Sequence, residues 1–573
     1  MNSSTDTLKS RLTHEPQALK FGTSGRRGEV AHLSQLEVYL NALAELEYLQ
    51  SLSLDEGGVI PGDEFFFAQD LRPSSSRYVA EQFGRGELAQ AIVQAIRDAG
   101  LKPVNLGAIP TPALTAYALS RGKGSIMVTG SHIPFDRNGY KVNTARGELL
   151  KKHEAPINER VGLVRERLYG QPYGASLFDE TGRFKTGHQE LPPVDAVGAA
   201  AYVSRYVDFF GDVSLAGTRL LVYQHSAVGR DLLVDILTRL GAEAVPAGRS
   251  ETFIPIDTEN MDEAQLQAIQ VLHDETAARH GRFDAIVSTD GDSDRPLILG
   301  VDEGRVRFFG GDLIGMVTAH YLGADAVAVP ISCNDAIDRG ALKDITLPKT
   351  KIGSPFVIAR MEQALGKHAV CGFEANGGFL TGSDIKRKGK TLAALPTRDA
   401  LLPILAVLYA AKEQEVSLSQ LFGRLPKRYS RAALIKQFPR PVSVKIVERF
   451  SPVDARITEV LFNADGVLLL DAEGKVLAGL DAEIAAVQTI AAGLAGFFTP
   501  ASGFTAIAKL NYVDGVRIYF SNGDVAHLRP SGNADELRIY AVSDSQARAD
   551  AIAKQAIAEP DGILRQLERR ILE

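Results

Sequence analysis

Along most of the chain, short apolar runs alternate with stretches of helical periodicity. Glu64-Phe65-Phe66-Phe67-Ala68 reads as a strand that ends in Asp70-Leu71-Arg72-Pro73-Ser74-Ser75, a turn with helix-start residues. The pattern then predicts a helix from Tyr78 to Ala99, stopped by Gly100. Ser125-Ile126-Met127-Val128-Thr129 is a second strand and runs straight into Gly130-Ser131-His132. In a second block, Leu220-Leu221-Val222-Tyr223 leads to a helix over Asp231 to Leu240, and Asp284-Ala285-Ile286-Val287-Ser288 ends in a cluster of aspartates. A third block holds the helix Asp312 to Tyr321 and the strand Ala326-Val327-Ala328-Val329. Strands alternating with helices imply an α/β fold with parallel or mixed sheets, repeated three times in pattern rather than in identity.

The C-terminal part differs. Short strands at Ile507 to Leu510, Gly515 to Phe520 and Leu537 to Tyr540 are separated by Asp514-Gly515 and Asn522-Gly523, and a helix over Ser545 to Ala558 follows. These are hairpin signals, and they predict an α+β domain with an antiparallel sheet. Gln171 to Pro193, rich in Gly and Pro, and the stretch from Leu425 to Tyr429 read as linkers.

Composition narrows the function classes. The 573 residues are 45% apolar and 23% charged, with net charge -7 and no basic block, which argues against a nucleic-acid surface. Neither Ala400 to Ala411 nor Ile484 to Phe498 supplies the roughly 18 unbroken apolar residues of a membrane span. Two cysteines, Cys333 and Cys371, and an N-terminus without a signal-peptide pattern point to a reducing, cytoplasmic setting.

Four segments carry chemistry. Ser131, with His132 beside it and Lys141 downstream, sits at the end of a strand, where open α/β sheets bind ligands; the same residues also suit a plain turn. Asp290-Gly291-Asp292-Ser293-Asp294-Arg295 packs three carboxylates close enough to repel unless a hard divalent cation screens them. Arg295 and Val301 at the sixth and twelfth positions exclude an EF-hand. Glu374 and Asn376 on a glycine loop can hydrogen-bond vicinal hydroxyls, and Arg529-Pro530-Ser531-Gly532-Asn533, with Arg538 beyond, can cradle a phosphate; each is weak alone.

Taken together and in order, these segments resemble the α-D-phosphohexomutases, which include the phosphoglucomutases and phosphomannomutases. Lys20-Phe21-Gly22-Thr23-Ser24-Gly25-Arg26-Arg27-Gly28 resembles the family's N-terminal loop, and Thr381-Gly382-Ser383-Asp384-Ile385 with Arg398-Asp399 is most similar to the phosphoglucomutase branch. The resemblance implies three related α/β domains (1–190, 191–304, 305–425) and a C-terminal α+β domain of TATA-box-binding-protein-like fold (426–573) around a central cleft. It implies a catalytic set of Ser131, His132, Lys141, Arg27 and Arg295, and Mg²⁺ held by Asp290, Asp292, Asp294 and the Ser131 phosphate. Substrate would be bound by Glu374, Asn376, Arg398, Arg529, Ser531, Gly532, Asn533 and Arg538. The implied partners are hexose phosphates, taken by a monomer or homodimer. Phosphoserine 131 would pass its phosphoryl group to a mannose or glucose phosphate, forming a hexose 1,6-bisphosphate that also serves as activator. Gly130 and Ile133 stand where the family usually has Ala and Asn, and Ser293 stands where it has Gly. Alternative readings are a phosphoglucosamine mutase, a metal-dependent phosphatase using Asp290, and a non-catalytic sugar-phosphate-binding protein.

Overall fold

The computed structural model describes residues 6–259, 261–364, 366–531 and 535–572. They form two compact units, one of residues 6–325 with Met361–Phe422, the other of Ala326–Arg360 with residues 423–572.

The first unit contains two mixed sheets and a smaller antiparallel one. In the first sheet Glu64–Gln69 lies parallel to both Lys102–Asn105 and Ser125–Val128, which is followed by antiparallel Arg137–Thr144 and Arg26–Glu29. In the second, Arg219–His225 lies parallel to Glu243–Arg249 and Ala285–Thr289, and the antiparallel strands Pro296–Asp302 and Arg305–Phe308 complete it. Val370–Phe373, Phe379–Thr381 and Leu395–Asp399 pair antiparallel in the third. The strands Ser125–Val128, Ala285–Thr289 and Val370–Phe373 are buried throughout, so they read as continuous apolar runs rather than alternating ones.

Two expectations are corrected here. The helix predicted over residues 78–99 begins only at Leu88 and runs to Asp98. Before it, Tyr78–Val79 pairs with Arg85–Gly86 in a small hairpin. Gly86 takes φ +131, where a Cβ would lie 2.1 Å from the Arg77 carbonyl oxygen, so the hairpin depends on glycine and cannot continue as helix. Nor is 171–193 a free linker. Phe178 and Phe184 are buried in the first core, their rings 4.7 Å apart, and Phe178 meets Tyr39 at 5.2 Å. Gly and Pro content marked an irregular path, but the two aromatic anchors fix it to the domain.

The second unit is built on a seven-stranded antiparallel sheet. Beyond the strands foreseen, Tyr429–Lys436, Glu459–Asn463, Gly466–Leu470 and Val525–Pro530 belong to it. Alternation sorts its faces. Leu510, Ile518, Leu528 and Ile539 join the apolar core beneath the helices Arg440–Arg449, Asp481–Ala495 and Gln546–Ile557. The other face carries Lys509, Arg517, Tyr519, His527, Arg529, Arg538 and Tyr540 at paired positions.

His527 on that face is fully buried and shares a 2.6 Å hydrogen bond between Nε2 and the Asp514 carbonyl, while Nδ1 has no partner among the described residues. Burial, followed by the nearby Arg517 guanidinium, pushes the His527 imidazole down to about 3. Below the ordinary histidine value of about 6.5, the unfolded chain binds a proton that the folded chain refuses. Stability is therefore lost as pH falls from about 6.5 toward 3, at about 1.4 kcal/mol per pH unit. Urea unfolding followed across this range should show a shallower acid slope for His527→Gln than for the parent; equal slopes would contradict the assignment.

Candidate active site

Three loops of the first unit share one construction. Each joins a fully buried strand to its antiparallel neighbour: residues 129–136, 290–295 and 374–378. Each turns through a left-handed residue, Ser131 (φ +56), Ser293 (φ +58) and Gly377 (φ +87). Two of the three are not glycine, and a non-glycine residue in this region is a strained conformation that needs support. At Ser131 the support is the Thr129 hydroxyl, which accepts the Ser131 N–H (2.8 Å) and itself donates to Asp70 (2.8 Å). At Ser293 the side chain accepts the Gly229 N–H (2.9 Å) and bonds the Thr289 hydroxyl (2.8 Å), so this serine has a structural role.

The construction brings the serine onto the aspartates. Ser131 Oγ donates to Asp290 Oδ2 at 2.8 Å, and Asp290 Oδ1 accepts the backbone N–H groups of Asp294 and Arg295. Lys141, on the strand beside the serine loop, donates to Oδ2 of Asp292 (2.8 Å) and of Asp294 (2.6 Å). The Oδ1 atoms of both aspartates are buried with no hydrogen-bond partner among the described residues. One carboxylate oxygen from each aspartate lies within 4.8 Å of the others, which suits a small cation taking oxygen ligands. Electrostatics agree. Burial and then the charges of Asp294 and Asp292 raise the Asp290 carboxyl well above the usual carboxylate range. Burial pushes Asp292 the same way, but the Lys141 ammonium and the Thr111 hydroxyl, which donates at 2.6 Å, override it and hold Asp292 below its ordinary value.

The remaining cations surround this triplet. Arg398 bridges Asp294 (3.0 Å) and Glu374 (3.2 Å), tying the third loop to the second. Arg295 donates to His132 Nδ1 at 2.8 Å. Arginine is always a donor, so Nδ1 accepts and the His132 proton sits on Nε2. Burial, then Arg295, holds this imidazole neutral by lowering its pKa well below the ordinary value. Arg27 donates to the carbonyls of Arg26 (2.8 Å) and Tyr140 (3.3 Å); burial brings its guanidinium down to about 10, partly offset by Asp292. Asn376 spends its carboxamide oxygen on the Gly378 N–H (2.9 Å), closing its own turn.

In the second unit Arg529 lies within the strand Val525–Pro530, directly opposite Arg538. Like charges placed so closely need counter-ions. Asp514 supplies one to Arg529 (3.2 Å) and Glu536 supplies the other to Arg538 (2.9 Å). Ser531 is buried, and its N–H bonds the Glu536 carbonyl at 3.0 Å. Gly532 and Asn533 lie outside the described residues. Asp535 accepts the Arg440 N–H (3.0 Å) at a helix start.

Three residues at the first-unit site were not foreseen: Asp70, Arg72 and Thr111. Asp70 and Arg72 lie in a turn at a strand end, the one local signal they carry. Thr111 meets Asp292 across 181 positions of sequence and has none.

Family models of phosphoglucomutase/phosphomannomutase fit residues 18–166 (alpha/beta/alpha domain I), 310–429 (alpha/beta/alpha domain III) and 475–559 (C-terminal domain). A phosphomannomutase of Sinorhizobium fredii is 35% identical over 543 residues, covering 94% of this chain and 98% of the relative. One of Salmonella muenchen is 34% identical over 549 residues, covering 94% and 95%. The crystal structure of a phosphoglucomutase/phosphomannomutase family protein from Burkholderia thailandensis shares the fold, with TM-score 0.61, 17% identity and coverage of 96% and 97%.

Proposed function

Since the chain belongs to the phosphoglucomutase/phosphomannomutase family, we propose that it is a phosphohexose mutase in which Ser131 carries the phosphoryl group, acting in the cytoplasm on mannose phosphates first and glucose phosphates second. Phosphomannomutase relatives matched along almost their whole length support the mannose preference. The observation that carries the reading is the 2.8 Å bond from Ser131 Oγ to Asp290, beside two aspartates that each bury an oxygen with no hydrogen bond among the described residues.

In the forward half-reaction the P–O bond to Ser131 Oγ breaks and a P–O bond to a sugar hydroxyl forms. The resulting hexose 1,6-bisphosphate turns over and returns its other phosphoryl group to the serine. The hydroxyl's proton must go to a base. His132 is a poor one, because its Nε2 already bears the proton; it instead offers an N–H to a phosphoryl oxygen. Lys141 and Arg27 remain the candidates, each having first to pass a proton of its own to solvent or a neighbouring carboxylate before it can take the hydroxyl's. Asp290, Asp292 and Asp294 would each turn one carboxylate oxygen to Mg²⁺, and the ion would neutralise charge on the transferring group. Arg398 holds Glu374 in place to meet sugar hydroxyls, and Arg529, Ser531 and Arg538, with Gly532 and Asn533, serve as the distal phosphate loop. The domain limits 1–190, 191–304, 305–425 and 426–573 give each loop its own domain.

The phosphatase reading is weaker, because both oxygens of Asp290 are engaged and a nucleophilic aspartate needs one free. Initial rates on mannose 1-phosphate, glucose 1-phosphate and glucosamine 1-phosphate, with Mg²⁺ and the matching bisphosphate, test the function. Mannose 1-phosphate should give the highest rate and glucosamine 1-phosphate the lowest. Release of inorganic phosphate in step with substrate loss, without 6-phosphate, would overturn the mutase reading.

A further inference from the structure

Arg72 is 1% exposed, and its guanidinium lies against the serine loop, where the charges of Asp292 and Asp290 act on it. Its Nη2 donates to two carbonyls of the serine loop, Ser131 (2.7 Å) and Ile133 (2.6 Å). One face of the group stacks on the Phe253 ring at 3.9 Å. The same ring lies 2.8 Å from where a Cβ on Gly291 would stand, and the Ser131 carbonyl oxygen lies 2.7 Å from that point. On its other side the guanidinium occupies the space above Gly130. A Cβ there would fall 2.4 Å from Nε and 2.7 Å from Cζ of Arg72. Gly130 has an ordinary backbone conformation, so its requirement is steric and comes from Arg72. Asp70 completes the arrangement: it accepts the Arg72 N–H (3.0 Å) and the Thr129 hydroxyl, and stands 3.5 Å from Arg72 Nε.

We propose that Arg72 is the positioning residue of the nucleophile loop: it clamps the carbonyls of Ser131 and Ile133, holds Ser131 left-handed with Oγ toward Asp290, and fixes residue 130 as glycine. A serine at φ +56 relaxes unless its flanking peptide groups are held, and the carbonyls on and beyond it are held by one nitrogen whose own plane is fixed between Phe253 and Gly130. Ile133, whose side chain differs from the usual family residue, contributes its backbone oxygen, which any residue there would supply. The proposal rests on Ser131 being the phosphoryl carrier, and it assigns Arg72 no contact with substrate.

The test uses full-length protein as the parent, Arg72→Met, Gly130→Ala and the double variant. Phosphoryl transfer from Ser131 is followed in a single turnover, together with Mg²⁺ affinity and amide exchange over residues 129–136. Arg72→Met keeps an apolar stem against Phe253 and removes the clamp. It should slow transfer about 100-fold, the scale of a nucleophile displaced by about an ångström, and speed exchange in the loop. KM should change little, since substrate is not touched, and Mg²⁺ affinity should not fall, since the charge removed is a cation acting on Asp292 and Asp290. Gly130→Ala, which leaves every charge in place, should slow transfer similarly by pushing the guanidinium aside. The double variant should be no slower than Arg72→Met, because the clash disappears with the guanidinium. Parent-like transfer in either single variant, or multiplying effects in the double, would overturn the proposal. Should Arg72→Met fail to fold, Gly130→Ala decides alone. Absence of phosphate on Ser131 in the parent would instead defeat the carrier reading; the clamp then stands or falls on whether loop exchange rises in Arg72→Met.

Discussion

Ser131→Ala should lower turnover by at least about 10³-fold, the order of loss when a covalent nucleophile is removed. The reason is topological as well as chemical. Each half-reaction needs an acceptor that can be reloaded, and neither added hexose 1,6-bisphosphate nor more Mg²⁺ can replace the missing oxygen. Structure should survive the change. Among the described residues the Ser131 hydroxyl makes one hydrogen bond, to Asp290, and a typical bond contributes about 1 kcal/mol net. A melting temperature near that of the parent with turnover abolished is therefore the expected pair of results. Loss of both together would mean only that the loop had collapsed.

Removing divalent cations should have the second largest effect. Chelation should reduce turnover at least about 100-fold, and Mg²⁺ should restore it, because phosphoryl transfer depends on neutralising charge on the moving group. In the protein alone, Lys141, Arg398 and Arg295 balance part of the triplet's charge, yet Asp292 and Asp294 each bury an oxygen that accepts no hydrogen bond among the described residues. Mg²⁺ should accordingly raise the melting temperature, with a gain that grows as the logarithm of its concentration once that exceeds the dissociation constant. Asp294→Asn, which keeps the shape and removes a charge, should raise the Mg²⁺ concentration for half-maximal rate by about tenfold or more, in the range that a disturbed metal site shows. Full activity after exhaustive chelation, with no metal remaining by elemental analysis, would refute the metal's role.

Much of the fold was legible where burial alone shapes the sequence. Ser125 to Val128, Ala285 to Thr289 and Val370 to Phe373 are buried on both faces, so each appears as an apolar run, and each run ends in a loop with polar chemistry. The helix expected over 78–99 failed because its apolar spacing continues through Gly84-Arg85-Gly86, where backbone conformation, invisible to periodicity, imposes a hairpin. The stretch 171–193 was misjudged for the opposite reason. Its composition is loop-like, but Phe178 and Phe184 pay the ordering cost by burial in a core formed by distant residues.

The site divides in the same way. Aspartates spaced two apart announce themselves because they share one loop. Arg72 and Thr111 do not, since what they touch lies 59 and 181 positions away. Gly130 shows the intermediate case. Its identity can be read from the chain, but its reason lies in the guanidinium packed above it, which only the tertiary structure brings there.

The account stands on Ser131 as the residue that holds the moving group. Intact-mass and peptide-level mass spectrometry after incubation with mannose 1,6-bisphosphate and Mg²⁺ addresses this directly. One phosphate on the peptide containing Ser131, discharged on adding mannose 6-phosphate, is the predicted result. A phosphate found on another residue, or a chain that turns over substrate while Ser131 stays unmodified at every stage, would contradict it.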